Sequence, residues 1–459
     1  MERTKAERFF ADIRGKRVII CGIGTNNVPV IRQFLAAGAR VTACDRRERE
    51  QLGAVADELE AAGAVLRLGE GYLDELDADL ILRTPGMKPY LPPFEEARRR
   101  GVPVTSEMEL FFSLCPAPIY AVTGSDGKTT TTTIIARLLE RAGKRVWLGG
   151  NIGRALLPFV GEVRPEDVAV AELSSFQLTG MTQSPHVAVV TNVAPNHLDW
   201  HKDMQEYIDA KRNLVAHQVP GDRAVLNFDN DVTRGFAEGL QGQVCGFSRR
   251  ETVTNGAFLR EDGVLCAAQD GVVTPVIPAG EIRIPGVHNV ENYLAAIAAV
   301  WGTVDAETIA AFAREFGGVE HRCEWVRTLD GAKWYNDSIG SSPSRTIAGL
   351  RAFDRPVILI AGGYDKHIPY EPLGEAAADT VKAAILLGAT ADKIEAAIRA
   401  HSDLPITRVE TMAQAVAAAR AIAREGDIVF LSPASASFDM YKNFEERGRD
   451  FKRLVNELK

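Results

Sequence analysis

A glycine-punctuated turn between an apolar strand and a polar helix carries the residue types that bind the phosphates of a nucleotide. The apolar run Ile119 to Val122 leads into Thr123-Gly124-Ser125-Asp126-Gly127-Lys128-Thr129-Thr130. Backbone N–H groups, a helix N-terminus and a lysine ammonium suit phosphate oxygens, and the Thr129 hydroxyl suits Mg²⁺. The general Walker A spacing is not met, because Gly124 precedes Gly127 by only three positions. A glycine turn that merely caps an ordinary helix is the alternative.

Two further strand ends in this part of the chain carry polar side chains. The run Asp167–Ala171 predicts a strand that ends at Glu172, a carboxylate that could be the second anchor for Mg²⁺. The strand His186–Thr191 leads towards His197, and the helical stretch Met204–His217 contains Lys211. A solvated glutamate is the alternative for Glu172. From the residue types alone, a hydrogen-bonded loop histidine and a surface lysine are the more common roles for His197 and Lys211.

The first third of the chain has the pattern of a nucleotide-binding β-turn-α unit. Its first strand, Arg17–Cys21, ends in a G-x-G turn, and the next strand ends at Asp45, roughly 20 residues later. Asn27 stands where the fingerprint has a third glycine, which disfavours tight packing against the pyrophosphate of NAD. A purely structural unit and a site for part of a nucleotide both fit. The residues that would line this sheet edge are Gly24, Thr25, Asn26, Asp45, Arg46, Thr84, Pro85 and Gly86.

Composition and charge exclude several classes of protein. A chain of 459 residues with 46% hydrophobic residues suggests about three packed domains. A formal net charge of −8 without a long basic block argues against nucleic acid as a partner. The N-terminus lacks a signal-peptide pattern and no long apolar run occurs, so we expect a cytoplasmic protein without a membrane partner. The six dispersed cysteines indicate neither disulfides nor a zinc site.

Taken in order, the central motifs resemble the signature of the Mur ligase family. They are Thr123–Thr129, Gly150-Asn151-Ile152-Gly153, Glu172-Leu173-Ser174-Ser175-Phe176-Gln177, and Asn196-His197-Leu198-Asp199 followed by Lys211. The short glycine spacing is typical of this family. The resemblance implies an ATP-dependent amide ligase in which Lys128, Glu172, His197 and Lys211 are catalytic. It also implies that Lys211 is carbamylated and that two Mg²⁺ ions are held by Thr129, Glu172, His197 and the carbamate.

The same resemblance assigns residues to ATP and to the substrates. Its implied ATP contacts are Gly124, Ser125, Asp126, Gly127, Lys128, Thr129, Thr130, Asn289, Asn292, Arg322 and Asp337. For the asparagines, which belong to Gly286-Val287-His288-Asn289-Val290-Glu291-Asn292, a helix N-cap is an alternative. A UDP-sugar substrate would contact the N-terminal sheet edge together with Asn151, Ser174 and Gln177.

The last third alternates strands and helices in a second Rossmann-like pattern. Its closing segment, Ser432–Gly448, and the turn Gly362–Lys366 resemble the family member that adds D-glutamate to UDP-N-acetylmuramoyl-L-alanine. This implies that D-glutamate is held by Ser341, Lys366, Ser437, Phe438 and Phe444. Many members have a lysine two positions after Asp337, where this chain has Ile339. The charge contact of that lysine must therefore be absent or replaced.

The sequence thus predicts an α/β protein with three domains. They are an N-terminal Rossmann-like domain over 1–116, a central P-loop ATPase-like domain over 117–322 and a C-terminal Rossmann-like domain over 323–459. The expected reaction passes through an acyl phosphate in peptidoglycan precursor synthesis, and a monomer is expected. Three alternatives are another amide ligase, such as an L-alanine adder or a folylpolyglutamate synthase, a regulatory P-loop ATPase, and a nicotinamide oxidoreductase built on Gly22-Ile23-Gly24. The last leaves Lys128 without a role.

Overall fold

The computed structural model describes residues 4–459, which form three β-sheets with helices packed on them. Two compact units are present. One contains the chain up to Pro278 together with Glu291–Ala310, and the other contains Ala279–Val290 and Ala311–Lys459. The predicted α/β fold class is confirmed, whereas the domain boundaries at 116 and 322 stay predictions. No helix within residues 4–459 combines the length and apolar character needed to span a bilayer.

The N-terminal sheet is fully parallel, and its strand order is β3-β2-β1-β4-β5. Its strands are β1 (Arg17–Cys21), β2 (Arg40–Asp45), β3 (Val65–Leu68), β4 (Leu80–Arg83) and β5 (Val104–Ser106). The helices are α1 (Lys5–Asp12), α2 (Asn27–Ala36), α3 (Arg49–Leu52), α4 (Ala54–Ala61), α5 (Pro92–Arg99) and α6 (Glu107–Leu114). The order reverses at β1, so the turn after Cys21 lies at the crevice where such sheets bind ligands.

The central sheet has nine strands in the order β14-β13-β12-β11-β10-β9-β6-β8-β7. They are β6 (Ile119–Thr123), β7 (Val146–Gly150), β8 (Val168–Glu172), β9 (Val187–Val190), β10 (Arg223–Asn227), β11 (Gln243–Ser248), β12 (Gly256–Leu259), β13 (Val264–Gln269) and β14 (Val272–Pro278). The last three pair antiparallel with one another. Because β6 lies between β8 and β9 in parallel pairing, the carboxyl ends of these three strands meet at one edge.

Six helices lie along the chain between the first strand of the central sheet and residue 315. They are α7 (Lys128–Arg141), α8 (Ser175–Leu178), α9 (Met204–Ala216), α10 (Asp231–Gly235), α11 (Val287–Val300) and α12 (Ala306–Glu315), with a 3₁₀ turn at Leu157–Glu162. One hydrophobic core extends from the N-terminal sheet through Phe111 and Leu157 to the central sheet. The buried Glu107 carboxylate accepts the amides of Leu156 and Leu157 at 2.9 and 2.8 Å, and burial raises its pKa. These contacts join the first two sheets into one unit.

The third sheet has the order β15-β16-β20-β17-β18-β19, with only β15 antiparallel. Its strands are β15 (Glu324–Leu329), β16 (Ala332–Asn336), β17 (Val357–Ala361), β18 (Val381–Leu386), β19 (Ile406–Arg408) and β20 (Ile428–Leu431). The helices are α13 (Pro343–Leu350), α14 (Glu371–Thr380), α15 (Ala391–Arg399), α16 (Met412–Ile422) and α17 (Phe444–Glu457). Hydrophobic cores cover both faces of this sheet, which explains its continuous apolar strands.

Candidate active site

Hydrogen bonds fix the predicted phosphate loop to the end of β9. The Ser125 amide donates to the Asn192 carbonyl at 2.9 Å, and the Asp126 amide donates to Asn192 Oδ1 at 3.0 Å. Thr191 Oγ1 donates to the Asp126 carbonyl at 2.6 Å. A Cβ atom at Gly124, whose φ is +152°, would lie 1.8 Å from Thr191 Oγ1. The loop therefore needs glycine there, and its shape is set by the polar end of the neighbouring strand.

Lys128 begins α7 and folds back over the loop. Its Nζ donates to the carbonyls of Gly124 at 3.0 Å and Ser125 at 2.9 Å. Thr130 lies in the same first helical turn, and Asn292 Oδ1 accepts a hydrogen bond from Thr131 Oγ1 at 3.1 Å. An ammonium beside the N-terminus of a helix makes this loop suitable for an anion.

The residues that could hold a magnesium ion centre on Glu172, at the end of β8. Thr129 Oγ1 donates to Glu172 Oε2 at 2.7 Å, and Asn151 Nδ2 donates to Glu172 Oε1 at 2.7 Å. The glutamate is 1% exposed. A hydroxyl and a carboxylate in contact are hard oxygen donors, so these side chains fit Mg²⁺. Across residues 4–459, no three His, Cys, Asp or Glu side chains converge as a ligand group.

Lys211 lies in the interior of α9 and is 1% exposed, unlike the surface lysine that its helix pattern would give. Its Nζ donates to the Gly124 carbonyl at 2.7 Å and lies 4.6 Å from the centre of the Tyr207 ring. Burial, and then the nearby charge of Lys128, hold its pKa well below the usual range. The structure therefore brings Lys211, Lys128 and the phosphate loop together around one carbonyl.

His197 lies in the loop after β9 with a φ of +55°, an uncommon conformation for a residue with a side chain. Its ring packs edge-on against Phe176 at a centroid distance of 5.0 Å. Desolvation, and then the Lys128 charge, lower its pKa, so the ring is neutral at physiological pH. It makes no hydrogen bond to Glu172 or Lys211 within residues 4–459. Positive φ in a loop beside a charged cluster is typical of a functional position.

The edge of the N-terminal sheet contacts the loop that carries His197. Trp200 Nε1 donates to the Gly86 carbonyl at 3.1 Å, and Lys88 Nζ lies 5.2 Å from the Trp200 ring centre. The buried Arg83 donates to the Thr179 carbonyl at 2.8 Å. The predicted substrate edge at Gly86 and the predicted catalytic loop are therefore neighbours.

Around Asp45 the structure adds a residue that the sequence did not indicate. Gly24, Thr25 and Arg46 are exposed, and Asn26 is exposed just before α2. The Asp45 carboxylate accepts a hydrogen bond from the Ile23 amide at 2.7 Å and forms an ion pair with Arg47 at 2.9 Å. Burial raises the pKa of Asp45, but the Arg47 and Ile23 hydrogen bonds outweigh it and lower the pKa to about 2. Asn27, in the place of the third glycine, donates to the Gly22 carbonyl at 2.8 Å.

Ser174 and Gln177, predicted to bind substrate, form the capping box of α8. The Gln177 amide donates to Ser174 Oγ at 3.3 Å, and the Ser174 amide donates to Gln177 Oε1 at 2.9 Å. Satisfying the first amides of a helix is the ordinary role of such a pair. Substrate binding by these side chains stays a prediction.

In the C-terminal unit, Asp337 follows β16 and is 6% exposed. Its carboxylate accepts Ser432 Oγ at 2.8 Å and the Cys323 amide at 3.1 Å, and burial raises its pKa to about 6. Arg322 stands between two residues of positive φ, His321 at 66° and Cys323 at 44°. In the same unit, Asn289 Nδ2 donates to the Pro285 carbonyl at 2.5 Å.

The residues predicted to bind D-glutamate follow the carboxyl ends of β16, β17 and β20. Ser437 is 3% exposed, whereas Lys366 is exposed and Ser341 is half-buried. Phe438 is 64% exposed and packs edge-on against Tyr364 at 5.9 Å, and Phe444 begins α17. The strand order therefore collects these side chains at one edge of the third sheet.

Comparison with known proteins gives matches along nearly the whole chain. The profile of the Mur ligase middle domain matches residues 122–300, and that of the Mur ligase glutamate ligase domain matches 321–435. The chain is 51% identical to the UDP-N-acetylmuramoylalanine--D-glutamate ligase of Acetivibrio thermocellus, over 99% of each chain. It is 48% identical to the ligase of the same name from Ruminiclostridium cellulolyticum, over 99% of this chain and 100% of that one. The fold resembles UDP-N-acetylmuramate-alanine ligase MurC of Thermotoga maritima, with a TM-score of 0.57, 18% identity and coverage of 97% and 100%.

The raised pKa of Asp337 predicts a pH dependence of stability. The ordinary value is 3.8 and the folded value is about 6, so near pH 5 the native carboxyl keeps a proton that the unfolded chain has lost. The free energy of unfolding of the C-terminal unit should therefore fall by roughly 3 kcal/mol between about pH 4 and pH 7 through this group. Urea unfolding across that range measures the fall. Asp337→Asn should flatten it, whereas Asp354→Asn, at an exposed aspartate, should not. Equal slopes for wild type and Asp337→Asn would contradict the assignment.

Proposed function

The chain belongs to the Mur ligase family, and on that premise we propose that it joins D-glutamate to UDP-N-acetylmuramoyl-L-alanine with consumption of ATP. The observation that carries this proposal is the 51% identity, over 99% of the chain, with a relative named for that reaction. The product would be a precursor of peptidoglycan. We also propose that the protein acts as a monomer in the cytoplasm, where ATP is available.

The expected reaction is a phosphoryl transfer followed by amide formation. The carboxylate of UDP-N-acetylmuramoyl-L-alanine attacks the γ-phosphorus of ATP, which gives an acyl phosphate and ADP. The amine of D-glutamate then attacks the acyl carbon, and phosphate leaves. Such a transfer requires charge neutralisation more than covalent help from the protein. Lys128, held 3.0 Å from the Gly124 carbonyl at the N-terminus of α7, is the residue of this chain that supplies it at the phosphates.

Thr129, Glu172, His197 and a carbamate on Lys211 are the proposed ligands of two magnesium ions. Bound there, magnesium would neutralise phosphate charge and act as template and Lewis acid. Asn151 orients the Glu172 carboxylate by its 2.7 Å hydrogen bond, and the lowered pKa of His197 keeps its ring in the neutral form that can bind a metal.

Burial and neighbouring charge support carbamylation of Lys211. An amine must be neutral to attack carbon dioxide, and burial beside Lys128 disfavours the ammonium form of Lys211. Among residues 4–459, the hydrogen-bond partners of the Nζ atom are the carbonyl of Gly124, at 2.7 Å, and the Thr123 hydroxyl, at 3.5 Å. A carbamate would place an anion next to the Lys128 cation. The two charges would attract each other, whereas the ammonium form of Lys211 would be repelled.

The remaining contacts are proposed by the same resemblance. Asn289, Asn292, Arg322 and Asp337 are the proposed further contacts of ATP. The UDP-sugar is assigned to the edge formed by Gly24, Thr25, Asn26, Asp45, Arg46 and Gly86, with Asn151, Ser174 and Gln177. For D-glutamate, Lys366 supplies a cation for a carboxylate, and Ser341, Ser437, Phe438 and Phe444 are its proposed neighbours.

Phosphate release from ATP tests the proposed substrates. With Mg²⁺ and UDP-N-acetylmuramoyl-L-alanine present, release should depend on D-glutamate. It should exceed the rates with L-glutamate, L-alanine, glycine or no acceptor by roughly 100-fold, because an amino acid that leaves the polar groups of the site unpaired is rejected strongly. Equal release without acceptor would favour a regulatory ATPase. Release with a different amino acid would show that the acceptor is wrongly assigned.

Removing Lys211 tests the proposed carbamate. Lys211→Ala should lower kcat by roughly 100-fold or more, because a charged ligand at the transferred phosphoryl group is lost. The exposed Lys202 gives the matched control, Lys202→Ala, which should keep the wild-type rate. In ¹³C-bicarbonate, NMR should detect a carbamate carbon in wild type and Lys202→Ala and not in Lys211→Ala. A wild-type rate in Lys211→Ala, or the same ¹³C signal in all three proteins, would contradict carbamylation.

A further inference from the structure

Arg447, in the first turn of α17, is a buried arginine that the reaction described above does not use. It is 1% exposed. Its Nε donates to Ser338 Oγ at 3.0 Å, Nη1 to the carbonyls of Ser435 and Ala436 at 3.1 and 3.0 Å, and Nη2 to the carbonyls of Ser338 and Ser435 at 2.9 and 3.1 Å. A guanidinium has five N–H groups, so every donor of Arg447 is used.

None of these five hydrogen bonds reaches a carboxylate. Burial lowers the pKa of Arg447 to about 10, and the more distant Asp439 opposes that shift. The side chain therefore keeps its charge at neutral pH. A buried cation without a paired anion is costly, and it creates a positive potential at the strand ends around it.

The carbonyls that bind Arg447 belong to two turns at one edge of the third sheet. Ser338 follows β16, and Ser435 and Ala436 follow β20. Ser338 Oγ in turn donates to the Phe444 carbonyl at 2.8 Å. Arg447 thus fixes both turns and the start of α17, the same segments that carry Ser341, Ser437 and Phe444.

The orientation of one peptide group follows from these bonds. In a trans peptide the C=O and the following N–H point in opposite directions, and the structure contains no cis bond in residues 4–459. The Ala436 carbonyl accepts Arg447 Nη1 at 3.0 Å and the Tyr364 amide at 2.9 Å, so the Ser437 N–H points away from both donors. Neither this N–H nor the Ser437 hydroxyl donates to another group of residues 4–459, although Ser437 is 3% exposed. These two donors are therefore available to a ligand.

We propose that Arg447 is a positioning residue for the acceptor amino acid. Its guanidinium holds the Ser435–Ser437 turn so that the Ser437 N–H and hydroxyl receive one carboxylate of D-glutamate, and its charge favours that anion. Arg447 does not touch the substrate, because its five donors are all bound to the protein. This inference rests on the proposed function, since it takes D-glutamate as the acceptor.

Conservative substitution of Arg447 separates positioning from folding. Arg447→Lys keeps the charge but cannot bind both turns, because an ammonium is a point donor and a guanidinium a planar fork. The KM for D-glutamate should rise by roughly 10-fold in Arg447→Lys, because the Ser437 donors are no longer held in place, and further in Arg447→Gln, because the charge is lost as well. The kcat and the KM for ATP should stay within about 3-fold of wild type. Arg453, exposed on the same helix and paired with Glu457, gives the control variants Arg453→Lys and Arg453→Gln, which should not change the KM for D-glutamate.

Several outcomes would overturn the inference. In a folded Arg447→Lys protein, an unchanged KM for D-glutamate, or equal rises in the KM for D-glutamate and for ATP, would leave Arg447 with a structural role only. If both Arg447 variants fail to fold, Ser338→Ala removes the acceptor of Nε together with the hydroxyl that donates to the Phe444 carbonyl. It should raise the KM for D-glutamate by about 3-fold while the KM for ATP stays constant. No rise there would also overturn it. A wild-type enzyme that does not use D-glutamate would instead refute the proposed function.

Discussion

Two lysine Nζ atoms donate to the same backbone carbonyl, that of Gly124, and the proposed active site depends on this arrangement. Lys128 reaches it at 3.0 Å and Lys211 at 2.7 Å, and Lys211 is almost completely buried. Burial, and then the charge of Lys128, hold the pKa of Lys211 well below its usual range and so disfavour a second cation there. The same environment favours anions. Nucleotide phosphates at the loop and a carbamate on Lys211 both supply negative charge there.

A related arrangement occurs in the C-terminal unit. Arg447 is also a buried cation whose hydrogen bonds go to carbonyls at strand ends, and the proposed ligand there is also an anion. In both units a parallel sheet collects polar turns at one edge, and a buried cation fixes the turns that would receive the ligand. The sheet therefore determines where the ligand would bind, and the buried cation fixes the conformation of the turns and adds positive charge.

The strands and the phosphate loop could be predicted from the sequence because apolar runs end in glycine or polar residues. The contact of Thr129 with Glu172 also follows from two adjacent strand ends. The burial of Lys211 and Arg447 could not be predicted from residue type, since charged residues on amphipathic helices usually face solvent. Asp45 is followed by two arginines, and the conformation of the turn decides which of them pairs with it. The sequence alone therefore does not indicate that the partner is Arg47 rather than Arg46. Helix capping and substrate binding favour the same residue types at Ser174 and Gln177, so the sequence does not distinguish these two roles.

Transfer of ¹⁸O is the measurement that tests the central claim most directly. UDP-N-acetylmuramoyl-L-alanine labelled with ¹⁸O in its carboxylate is incubated with ATP, Mg²⁺ and D-glutamate, and the released phosphate is analysed by mass spectrometry. An acyl phosphate formed at the loop of Lys128 requires that each phosphate carry one ¹⁸O atom, because the carboxylate oxygen that attacks phosphorus leaves with it. Unlabelled phosphate, released at the rate of amide formation, would show that water or another group attacks ATP and would contradict the account.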